Sequence, residues 1–141
     1  MKILPLINRN SKLIFIGLVL LLLIGKFLTL FNLSFLFTGS DDLIFWQVAH
    51  DYSKGIFAEP FMYGQNYNYA LESLLAVPLL KLGVPLQFAM PITTMLIGIM
   101  PFVLFGYVLF RKGWLIPSYL FLAIPIAMPI EYDIMTTITR G

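Results

Sequence analysis

The chain has 141 residues, of which 60% are hydrophobic and 11% charged, with a mean hydropathy of +0.90. That is far from the usage of soluble domains, and it excludes a fold whose apolar surface is all buried in its own core. A net charge of +2 gives no basis for nucleic-acid binding, and the absence of cysteine excludes disulfides and thiolate metal sites. The expectation is a single all-α membrane domain over residues 1–141.

Lys2, Arg9 and Lys12 precede the first apolar run, residues 13–37, which only Lys26, Thr29, Asn32 and Ser34 interrupt. About 20 residues cross the hydrocarbon as a helix, so this run is long enough. It is too long for a signal-peptide core and no small-x-small cleavage site follows it, so it reads as an uncleaved signal anchor. Lys26 either snorkels to the interface or pairs within a bundle.

An acid pair follows in Thr38-Gly39-Ser40-Asp41-Asp42-Leu43. Ser40 is a favourable N-cap. Gln47, His50, Asp51 and Lys54 recur at helical spacing as one polar stripe, beside an apolar face of Phe45, Val48, Ala49 and Tyr52. Gly55 stops the helix. A helix of this kind, just after a span, is expected in the interface plane with its apolar side down. Asp41 and Asp42 then lie in its first turn. There they serve either the helix dipole or an interfacial active site. His50 reads as a solvated surface residue.

Pro60 and Gly64 argue against a helix over residues 56–69. The rings and amides there, Tyr63, Gln65, Asn66, Tyr67, Asn68 and Tyr69, suit either the headgroup belt or the face and rim of a sugar. Residues 70–82 read as a short apolar helix bent at Pro78, with Glu72 at its outer end. Leaving that acid unpaired among leucines is costly, so it calls for a partner or a functional role. Gly83-Val84-Pro85 ends it.

A second span is expected over residues 88–110. A shorter third, over 114–130, contains Pro117, Pro125 and Pro129, with Glu131 and Asp133 capping its outer end. Arg111 and Lys112 lie between these two. By the positive-inside rule, these residues and the basic N-terminus are cytoplasmic. The loop at 39–87 is then outside, and all seven acids fall on the outer face. The architecture is thus about three transmembrane helices, with two juxtamembrane helices in the first outer loop.

In order, the chain shows a basic N-terminus, one anchor, Asp41-Asp42, Ala49, Gly55, Tyr63-Gly64-Gln65-x-Tyr67, Leu71-Glu72 and Pro78-Leu79. This pattern resembles the N-terminal part of membrane-embedded C-type glycosyltransferases. It is most like the bacterial relatives of dolichyl-phosphate-mannose protein mannosyltransferases and lipid A aminoarabinose transferases. The resemblance covers residues 13–112 well. Enzymes of that family have many more spans, so the chain reads as an N-terminal fragment of a longer enzyme, inactive alone if truncated.

The resemblance implies a polyprenyl-phosphate-linked sugar as donor and transfer at the outer face of the cell membrane. It implies Asp41 as the base that deprotonates the acceptor, with Asp42 orienting the acceptor or binding an ion. Tyr63, Gln65, Tyr67 and Glu72 become candidate substrate-binding residues, with no metal or cofactor required. The outer-side cations available to the leaving phosphate are Lys54, Lys81 and Arg140. Two rival readings use the same residues differently. One is a small non-enzymatic three-span protein acting as a subunit or lipid-binding partner. The other is a transporter fragment, for which Lys26 is the only mid-span ionisable candidate.

Overall fold

The computed structural model describes residues 9–33 and 39–128. They form five helices: α1 (Arg9–Leu33), α2 (Ser40–Ser53), α3 (Leu71–Lys81), α4 (Leu86–Arg111) and α5 (Leu115–Ala127). The described residues contain no strand, only one isolated bridge between Phe61 and Tyr69. The all-α expectation therefore holds for the described residues.

Helices α1 and α4 are long and apolar enough to cross a bilayer, with 17% and 28% of their apolar windows buried. So much exposed apolar helix is unusual for a soluble monomer. Helix α5 has 13 residues, fewer than the roughly 20 that a perpendicular crossing needs. It ends because Met128 precedes Pro129 and takes an extended conformation, φ −64° and ψ 140°, as a residue before proline prefers. The expected caps Glu131 and Asp133 lie outside the described residues, as does Arg140.

The long helices run antiparallel. Phe15 near the start of α1 meets Phe110 at the end of α4 with ring centroids 4.8 Å apart, while Phe31 meets Phe88 at 5.6 Å. Helix α5 packs on both. Gly106 lets α4 and α5 approach closely, since a Cβ there would stand 3.0 Å from Leu122 Cγ. The Ser118 hydroxyl donates to the Gly106 carbonyl at 2.7 Å across the same seam. Leu22, Lys26 and Leu30, spaced by four, make the buried edge of α1. Lys26 is only 2% exposed and lines a small cavity with Thr29 and Pro125. This corrects the snorkelling alternative: the side chain stays at the seam of α1 and α5 instead of reaching the interface.

Helices α2 and α3 pack on each other and on the start of α4. Phe45, Val48, Ala49 and Tyr52 from α2 share one core with Ala76 and Val77 from α3, Met90 from α4, and Met62 and Ala70 from the loop. The apolar face of α2 is the one its spacing predicts, but protein covers it, not lipid. The exposed leucines of this layer are Leu43 on α2 and Leu71, Leu74, Leu75 and Leu82 on and just beyond α3. Helix α2 ends before Gly55, at φ +82°, and α3 before Gly83, at φ +86°. Glycine adopts this region without the strain of a Cβ.

Candidate functional site

Three helices converge on the acids. The cap of α2 is Gly39, not Ser40, in an extended conformation with φ −96° and ψ 179°. The reason is Asp42, three residues on, whose Oδ2 accepts the Gly39 N–H at 2.7 Å. This is the return half of a capping box, and the carboxylate also meets the positive end of the helix dipole. Asp42 is buried as a result, whereas Asp41 on the same turn is exposed.

Glu72 stands in the first turn of α3 and is half-buried. The Thr94 hydroxyl of α4 donates to its Oε2 at 2.8 Å. Burial raises the Glu72 pKa above its ordinary value. The Thr94 hydrogen bond opposes that shift, and the nearby charge of Asp42 reinforces it. Ser73 fastens the first turn of α3 to α2 by donating to the Phe45 carbonyl at 2.8 Å. Asp42, Glu72 and Thr94 therefore form one polar knot, with the Asp41 carboxylate free on its outer side.

The tyrosine-amide strip is held elsewhere. The Tyr63 hydroxyl donates to Asp51 Oδ2 at 2.9 Å, and Gln47 Nε2 donates to Asp51 Oδ1 at 3.1 Å. Gly64, at φ +83°, allows the turn closed by Gln65 N–H and the Met62 carbonyl. Gln65 Oε1 accepts from Asn68, and Tyr67 is 73% exposed. Asp51 lies about 15 Å along α2 from Asp41, at 1.5 Å per residue. A cleft of about 400 Å³ is lined by Tyr52 of α2, by Phe57 and Tyr69 of the loop, and by Leu71 and Leu74 at the start of α3. Of the residues the sequence singles out, Asp42 and Glu72 are thus brought together beside Asp41. Tyr63 is tied to Asp51 instead, while Gln65 turns to Asn68 within the loop and Tyr67 is exposed.

Sequence reasoning passed over two residues that organise these groups. Asp51 read only as part of a polar stripe. Thr94 is one of two adjacent threonines inside an apolar run, and its one signal is that Glu72 demands a partner. Among the described residues no group of three or more His, Asp or Glu side chains is arranged to hold a metal. No family model matches the chain, and no curated protein or solved structure matches it either.

Proposed function

We propose that the chain is a glycosyltransferase module acting at the outer face of a cell membrane, with a polyprenyl-phosphate-linked sugar as donor. The observation that carries this reading is the division of labour in the acid pair. Asp42 is buried and committed to the Gly39 N–H, while Asp41 beside it is exposed. A general base needs a carboxylate within hydrogen-bond reach of the acceptor proton, and Asp41 is the member of the pair open to an acceptor. The antiparallel pairing of α1 and α4 supports the topology. Lys12 and Arg111 line one cleft at one end, so the acids of α2 and α3 belong to the other.

In the proposed reaction, Asp41 takes the proton from an acceptor hydroxyl or amine. The acceptor lone pair attacks the anomeric carbon, and the bond to the phosphate oxygen breaks. Polyprenyl phosphate leaves with that electron pair. Asp42 caps α2, Ser73 ties α3 to α2 through the Phe45 carbonyl, and Thr94 ties α4 to α3 through Glu72, and together these fix where Asp41 stands. Lys54 and Lys81 are exposed, at the far ends of α2 and α3, so the leaving phosphate calls for a cation from outside the knot.

The test is transfer of labelled sugar from polyprenyl-phosphate donors to endogenous acceptors, in membranes carrying the intact gene. Donor-dependent labelling that needs this chain is expected. Labelling equal to that of membranes lacking the chain overturns the reading. A cysteine replacing exposed Lys54 should react with an impermeant maleimide from outside, and reaction only after permeabilisation would reverse the topology.

A further inference from the structure

The second cleft lies at the opposite end of the bundle from the acids. It has a volume of about 480 Å³ and is lined by Lys12, Phe15 and Ile16 of α1 and by Tyr107, Phe110 and Arg111 of α4. One wall is cationic and the floor is aromatic, with Phe15 packed on both Phe110 and Tyr107. Lys12 and Arg111 are exposed and form no ion pair with the other described residues. Arg9, three residues before Lys12 and so on the same face of α1, is exposed as well, as is Trp114 just past α4.

Two cations from different helices thus overhang an apolar floor at the end of two long apolar helices. If those helices cross a bilayer, this level is the headgroup region, where tryptophan and tyrosine gather. An anionic phosphate set between Lys12 and Arg111 would satisfy both charges, and the acyl chain below it would cover the rings. Basic pockets between membrane helices on the cytoplasmic side recognise such headgroups.

We infer that this cleft is a binding site for an anionic phospholipid of the inner leaflet, held by its phosphate between Lys12 and Arg111. The inference rests on the reading that α1 and α4 span the membrane. It sets this site at the opposite end of those helices from the acids.

The experiment measures lipid retention by native mass spectrometry on the purified full chain, titrated with phosphatidylglycerol or with phosphatidylcholine. Saturable binding of phosphatidylglycerol over phosphatidylcholine is expected. Lys12→Gln and Arg111→Gln should each weaken it about fivefold, the share of one juxtamembrane cation. Lys54→Gln and Lys81→Gln should leave it unchanged. All four side chains are exposed, so the substitutions spare the packing. Equal binding of the two lipids, undiminished binding in both cleft variants, or competition by inorganic phosphate alone would each overturn the inference. A fluorophore on a cysteine replacing Leu104, an exposed residue of α4, tests the spanning reading separately. Quenching by brominated lipid upholds that reading whatever the titration shows. Quenching by iodide removes it, and the lipid site with it.

Discussion

The hydroxyl of Thr94 on α4 donates to the carboxyl of Glu72 on α3 at 2.8 Å. The contact joins a spanning-length helix to the layer that carries the acid pair. It gives Glu72 the partner that its position among leucines demands.

Glu72 should make stability fall as pH rises. Its pKa is raised in the folded chain by burial and then by the charge of Asp42. The fold therefore favours the protonated form. The stability this contributes is fully present below the ordinary value of 4.5 and is lost as pH rises through the raised value. Glu72→Gln cannot titrate and keeps an acceptor for Thr94. Thermal unfolding in detergent should show the variant gaining on the native chain from acid to neutral pH. A constant difference across that range would mean that folding does not raise the Glu72 pKa.

Tyr63→Phe should loosen the aromatic strip without touching the acids. It removes one hydroxyl and its 2.9 Å bond to Asp51. A partly exposed bond of this kind is worth about 1 kcal/mol. Hydrogen exchange should rise at Met62 and Gln65, whose N–H groups close the loop, and stay unchanged at residues 40–45. Unchanged exchange at Gln65 would show that the bond does not hold the loop.

Gly106→Ala should weaken the seam between α4 and α5. The added Cβ would meet Leu122 Cγ at 3.0 Å, and overpacking of this sort costs about 1–3 kcal/mol. Gly17→Ala is the control, because a Cβ there meets nothing within 4 Å. Equal melting temperatures for the two variants would mean that Leu122 yields freely.

Much of the helical layout is legible in the sequence because its signals are local. Gly55 and Gly83 take the left-handed turns that end α2 and α3, and Pro85 immediately precedes α4. The face of α2 formed by Phe45, Val48, Ala49 and Tyr52 is buried as its spacing predicts. What covers that face was not legible, since a stripe facing lipid and a stripe facing α3 have the same apolar pattern. The cap was misplaced because Ser40 scores well by residue type, whereas Asp42 reaching back to the Gly39 N–H decides the register. The Glu72–Thr94 contact spans 22 residues and leaves no local trace. The burial of Lys26 depends on α5, about a hundred residues further along the chain.

The central claim is that Asp41 is the base and Asp42 the structural member of the pair. The most direct test compares Asp41→Asn with Asp42→Asn for transfer of labelled sugar from a polyprenyl-phosphate donor, at matched amounts of inserted protein. Asp41→Asn should lower the rate by about 10²–10⁴-fold, the range for loss of a general base, with an unchanged melting temperature. Asp42→Asn should lower the melting temperature as the Gly39 cap weakens. Native transfer rates in Asp41→Asn would contradict the account.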